Sequence, residues 1–179
     1  MCGNALVCPT FPSSSTMSSS SLPLPILDIA PWLPSSTSTD AEKQAVADAL
    51  HLACRDFGFF YLNLAGFATE AEMARLTDLG SNFFHLPQHR KDAIALAHGD
   101  GARGYQRLNE NVTMGKADNH EGLDFYRPVE NPDKRKPLWG ENQWPDEDAA
   151  EAESIQGFRE TFEAWVEKVK VLGLVVMQA

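Results

Sequence analysis

Hydrophobic and polar positions alternate with different periods along this chain, and the changes of period mark its elements. Residues 1–21 show no period. The run from Ser13 to Ser21, preceded by Pro9 and Pro12, predicts a disordered Ser/Pro-rich tail that cannot bury enough surface to offset its ordering entropy. Order is expected from Leu22. Pro23 and Pro25 confine the entry to an extended path, and Ile26-Leu27 reads as a short strand at a sheet edge. Thr39-Asp40-Ala41-Glu42 has the form of a capping box and opens a helix to about Arg55, with Val46, Leu50 and Ala53 as its buried stripe. Phe57 to Leu64 is aromatic and apolar without a helical period, which predicts a buried strand. Thr69-Glu70-Ala71-Glu72 is a second capping box. Met73, Leu76, Gly80 and Phe83 follow at helical spacing, so a helix is expected to about Phe84. Pro87 suits the first residue of a further helix over Gln88 to Ala97.

Residues 98–120 are rich in Gly, Asn and Asp and predict a loop with short strand pieces, and Glu121 to Tyr126 a strand. Three prolines make Asn131 to Ala149 irregular. The acidic run Asp146, Glu147, Asp148, Glu151 and Glu153 suits a helix N-terminus, where the macrodipole favours negative charge. Ile155, Phe158, Phe162, Trp165, Val169, Leu172 and Val176 then form an apolar seam on one face of a long helix. Beyond Lys170 this helix is apolar on nearly every side, which predicts burial. It runs to Ala179 without a capping glycine, as if truncated inside a core element.

Composition narrows the function classes. With 179 residues and 43% apolar positions, one domain with a core is expected, over residues 22–179. A net charge of −10 argues against a nucleic-acid or anionic-membrane partner. No stretch is long and apolar enough to span a bilayer. Three cysteines without metal-site spacing, and no Lys or Arg before Lys43, predict a cytoplasmic protein without a disulfide framework.

Candidate chemistry is sparse. His98-Gly99-Asp100 with His120 spells the 2-His-1-carboxylate set of non-haem Fe(II) oxygenases, but the same residues suit a solvated turn. His85 and His89 flank Pro87 and read as surface or satisfied core histidines; His51 has no visible partner. Cys54 reads as a small buried hydrophobe. In Arg103-Gly104-Tyr105, the guanidinium matches a substrate carboxylate bidentately; the alternative is a loop arginine paired with an Asp or Glu.

The order of the segments is more specific than any one of them. Pro25-Ile26-Leu27-Asp28-Ile29, Ala53-Cys54-Arg55-Asp56-Phe57-Gly58-Phe59-Phe60, Phe83-Phe84-His85-Leu86-Pro87, Arg103-Gly104-Tyr105, Lys116 to Phe125 and the stretch before Phe158-Arg159-Glu160 occur in one order. Together they resemble the N-terminal region of the iron(II)- and 2-oxoglutarate-dependent dioxygenases of the isopenicillin-N-synthase-like type. The resemblance covers about residues 22–179.

The resemblance implies an α+β fold: helices and a few short strands that in the family pack on a jelly-roll (double-stranded β-helix) barrel, itself largely absent here. It implies an oxidoreductase that uses Fe(II) and 2-oxoglutarate to hydroxylate or otherwise oxidise a small organic molecule. Arg103 and Tyr105 are then expected as substrate-side residues. The family's His-x-Asp, distal His and Arg-x-Ser all come after the long helix, so no catalytic or metal-binding residue is assigned in this chain. Neither cofactor is expected to bind the chain alone, which is expected to be inactive. The alternative is a non-catalytic module that binds a partner, or itself, through its apolar C-terminal helix.

Overall fold

The computed structural model describes residues 24–179; the expected tail over residues 1–21 lies outside them. Strand β1 (Ile26–Asp28) and β2 (Tyr61–Asn63) pair in parallel, joined by helix α1 (Asp40–Asp56). Helix α2 (Glu70–His85) and the short α3 (Gln88–Asp92) lead to β3 (Gly104–Gln106). A small hairpin of β4 (Val112–Thr113) and β5 (Lys116–Ala117) precedes β6 (Gly122–Asp124), which returns antiparallel to β3. The long helix α4 (Phe158–Gln178) ends the chain. The class is the expected α+β: helices, three two-stranded sheets and, among the described residues, no closed barrel.

Both capping boxes form. Thr39 Oγ1 accepts from the Glu42 amide at 3.3 Å while its own amide donates to Glu42 Oε2 at 2.7 Å. Thr69 and Glu72 repeat this at 3.2 and 2.8 Å. Each box satisfies two amides that a helix start leaves unpaired. The α2 stripe differs from the expected one: Leu79 and Phe83 are buried while Met73 is exposed, so the core face is turned toward Leu79. Cys54 is exposed rather than buried, since α1 turns only Ala53 of this stretch inward.

The segment from Phe57 to Leu64 is also corrected. Only Tyr61–Asn63 is strand, and Phe59 and Tyr61 are 73% and 61% exposed. The two-residue period of a strand explains this: Leu62 and Leu64 face the core, which places Phe59 and Tyr61 on the other side. The helix expected to Ala97 stops at Asp92, because the Ile94 carbonyl accepts from the Tyr105 amide at 2.8 Å and leaves the helical ladder.

Two apolar clusters form the interior. Leu79, Phe83, Leu86, Ile94, Tyr105 and Phe158 belong to the first; Ile29, Leu172 and Val175 make the second. The two ends of α4 therefore lie in different clusters, and the helix ties them together. Each fully buried large side chain of this kind contributes about 1.5–3 kcal/mol. Ile155 lies in a 3-10 turn ahead of α4, separated from it by Gly157 at φ +75°. The acidic run acts on α4 from a distance: the Glu147 carboxylate accepts from the Gly157 and Arg159 amides at 2.7 and 2.8 Å. The last turns of α4 are covered on one face only, leaving Leu174 and Met177 61% and 85% exposed.

Candidate functional site

Arg103 enters β3 directly from the loop after the 3-10 turn Leu96–His98. Its side chain is 2% exposed and that of Asp100 is fully buried, with Arg103 Nη1 donating to Asp100 Oδ2 at 2.5 Å. The same carboxylate accepts from the Ala102 and Arg103 amides, both at 3.1 Å, and from the Gly140 amide at 2.8 Å. Burial pushes the Asp100 carboxyl up, but these three amides and the guanidinium outweigh it and hold it at about 2. The rest of the guanidinium is spent on the irregular segment 125–152. Nε donates to Asn142 Oδ1 at 3.1 Å, Nη2 to the Arg127 carbonyl at 3.1 Å, and the plane lies 5.2 Å from the Tyr126 ring centre. Gln143 closes the cluster, donating to the carbonyls of Arg103 at 2.6 Å and Ala95 at 3.0 Å. Of the two alternatives for Arg103, the structure contains the internal ion pair.

Gly104 is the joint between Arg103 and Tyr105. Its φ is +126°, and a Cβ there would run into the Ile94 carbonyl. Tyr105 is buried, and its hydroxyl donates to Glu121 Oε2 at 2.5 Å and accepts from Gln88 Nε2 at 3.2 Å. Lys91 Nζ donates to the same Glu121 oxygen at 2.8 Å and to the Phe84 carbonyl at 3.0 Å, and lies 5.3 Å from the Tyr105 ring centre. Burial alone disfavours the charged forms of the Lys91 amine and the Glu121 carboxyl. Their mutual bond prevails, raising the amine's pKa and lowering the carboxyl's. Burial, followed by the bond to Glu121, raises that of the Tyr105 phenol.

The structure therefore brings Arg103 and Tyr105 into adjacent buried polar clusters, both already engaged within the chain. It does not bring together His98, Asp100 and His120. His98 Nδ1 is bonded to the Ala93 carbonyl at 3.1 Å, and the residue lines an open cleft of about 430 Å³ with Lys134, Asn142 and Gln143. His120 lines a different cleft beside the β4–β5 hairpin, and Asp100 is saturated by four donors. Among the described residues no three His, Cys, Asp or Glu side chains are grouped to hold a metal ion, so they do not fit an Fe(II) site. Nor is any helix among them long and apolar enough to cross a membrane.

Sequence reasoning passed over Lys91, Asn142 and Gln143. A lysine in a basic helical turn reads as solvated, and nothing local to Asn142 or Gln143 signals a partner about 40 residues away. Glu121 lies in the Lys116 to Phe125 stretch that, together with Arg103-Gly104-Tyr105, carries the family resemblance.

Residues 24–147 match the family model described as "non-haem dioxygenase in morphine synthesis N-terminal". A homoarginine-6-hydroxylase of Oryza sativa subsp. japonica is 39% identical over 129 residues, covering 68% of this chain and 39% of the relative. Another, from Arabidopsis thaliana, is 37% identical over 150 residues, covering 80% of this chain and 43% of the relative. Among solved structures, the full-length Neurospora crassa protein crystallised with alpha-KG and thymine superposes with a TM-score of 0.63 at 22% identity. That match covers 86% of this chain and 46% of the other. The chain thus spans about two fifths of the length of these curated relatives.

Proposed function

The chain belongs to the non-haem dioxygenase N-terminal family, and from that premise we propose that it is the N-terminal part of an Fe(II)- and 2-oxoglutarate-dependent oxygenase. The observation that carries this reading is the family match over residues 24–147, on a chain whose fold resembles that of a protein crystallised with alpha-KG. Its reaction is the hydroxylation, or another oxidation, of a small organic molecule. Since relatives at 37–39% identity are homoarginine-6-hydroxylases, homoarginine is the first substrate to test. When bound, the iron and its co-substrate supply activated oxygen; residues 24–179 by themselves hold neither and turn nothing over.

In this reading Arg103 and Tyr105 serve the substrate side as positioning residues. Arg103 hangs the 126–143 backbone from Asn142 and the Arg127 carbonyl, and Tyr105 pins Glu121 beside Lys91. Neither needs a free polar atom to do so, because each would act through the backbone and side chains it holds.

A chimera tests both statements. Residues 24–179 would replace the matching region of the Oryza sativa relative, and succinate release would be measured with Fe(II), ascorbate, 2-oxoglutarate and L-homoarginine. The expected result is homoarginine-stimulated succinate release from the chimera and none from the 179-residue chain. A folded chimera that releases no succinate, or a chain that does so alone, overturns the reading. Arg103→Lys in the chimera is expected to raise KM for homoarginine several-fold with kcat and the KM for 2-oxoglutarate held, because a lysine cannot replace the planar fork.

The exposed Leu174 and Met177 favour a second reading, in which α4 pairs with a partner surface or with a second copy. Light scattering of the purified chain decides on self-association: a concentration-dependent mass that Leu174→Glu abolishes supports it, and a monomer at all concentrations removes it.

A further inference from the structure

Strands β1 and β2 pair in parallel at the register Ile26↔Tyr61, Leu27↔Leu62 and Asp28↔Asn63, with no third strand among the described residues. Leu27 is buried and Leu62 packs on the second apolar cluster, so both face inward. Side chains alternate along a strand, so Ile26 and Tyr61 stand side by side on the outer face, with Phe59 two residues before Tyr61. They are 73%, 61% and 73% exposed. Single apolar residues on a surface are ordinary, but large ones in register on one sheet face mark a covered surface. Parallel strands are as a rule covered on both faces, and a sheet of two strands is marginal by itself.

The backbone is open at the same place. The Tyr61 amide donates to the Pro25 carbonyl at 2.8 Å, which sets the parity of the ladder. Tyr61 and Asn63 turn their amides and carbonyls toward β1, and Leu62 turns its own away. Among the described residues no strand lies on that side of β2, and no turn bonds the Leu62 amide or carbonyl. Such an edge is a template for a further strand.

An open edge and an uncovered face on the same two strands fit one kind of occupant, an extended segment with apolar side chains at alternate positions. A second copy would bring together two chains of net charge −10, which repel. The matches cover only 39% and 43% of the curated relatives, so more than half of each relative lies outside them. Resting on the oxygenase reading above, we propose that β2 is an interior strand of the assembled enzyme. A strand from that remaining length adds along the Leu62 edge and continues the outer apolar row of Ile26 and Tyr61.

The test compares native-state hydrogen exchange, resolved to single amides, in the 179-residue chain and in the chimera with the Oryza sativa relative. The Leu62 amide is expected to exchange at least about a hundredfold more slowly in the chimera, beyond any slowing shared by the amides of α1. Tyr61→Thr keeps a good strand former and removes the ring. It is expected to lower the thermal midpoint of the chimera by several degrees and to leave that of the 179-residue chain within about 2 °C. Equal exchange at Leu62 in the two proteins overturns the proposal, as does an equal shift of midpoint. Protection of Leu62 that grows with the concentration of the chain alone assigns the edge to a second copy and overturns it as well. A chimera that releases succinate with an open Leu62 edge rejects this proposal and keeps the oxygenase reading; a protected edge in an inactive chimera does the reverse.

Discussion

The Arg103 guanidinium and the Asp100 carboxylate meet at 2.5 Å with both side chains closed to solvent, three residues apart in the chain. Their pairing is local, but its effect is not. Through it the Gly140 amide, the Asn142 side chain and the Arg127 carbonyl are bound to the loop that begins β3.

Removing one partner should therefore cost far more than an exposed ion pair would. Arg103→Ala is expected to destabilise the chain by about 3–5 kcal/mol, because it strands a buried carboxylate. Urea unfolding checks this, and a loss below about 1 kcal/mol would show that the pair carries no such weight.

The same pair sets an acid limit. Asp100 is held at about 2, below its ordinary 3.8, so the folded state binds its proton less readily than the unfolded state. The stabilisation is fully present above about pH 4 and is lost as pH falls through about 2, an amount of about 2 kcal/mol. Unfolding free energies from pH 5 to pH 2 should fall more steeply in the parent chain than in Asp100→Asn, whose slope lacks this group.

Tyr105→Phe removes a hydroxyl that serves both Glu121 and Gln88. The expected loss is about 1–2 kcal/mol, and a double-mutant cycle with Glu121→Gln should show coupling of about 1 kcal/mol. Additive losses would mean that the two side chains act separately.

At Gly104 even one methyl group is too much, since the Ile94 carbonyl stands in its way and the backbone is at φ +126°. Gly104→Ala is expected to lower stability by more than 2 kcal/mol, on the order of the larger single-residue effects. A thermal midpoint within a few degrees of the parent's would refute the close approach.

Glu147→Ala should free the Gly157 and Arg159 amides at the start of α4, at a cost of about 1 kcal/mol. Circular dichroism and urea unfolding would register it as a small loss at constant fold.

What was legible in the chain was what depends on neighbours in sequence. Thr39 and Glu42, or Thr69 and Glu72, lie within one helical turn, so their spacing alone specifies the helix start. The aromatic stretch at Phe57 is apolar throughout, but which of its side chains face the core depends on its pairing with β1, which its own residues do not encode. Once Leu62 faces inward, Tyr61 cannot. Arg103 and Tyr105 stood out as residue types, but their bonds to Asn142 and Glu121 depend on how distant segments meet, which no local period encodes. The order of short motifs carried the family assignment where the individual side chains did not.

The irregular segment between Phe125 and Ala152 is held by side chains rather than by a ladder of backbone bonds, and this has a kinetic consequence. Asn142 and Gln143 reach contacts 39 to 48 residues back along the chain, so their docking closes long loops. Such closures are slow to form. The expected order of assembly has α2, β3 and β6 in place first and this segment arriving last. In native-state hydrogen exchange its amides should open below the global unfolding free energy, with the stretch around Trp144 and Ala152, packed in the first apolar cluster, opening last.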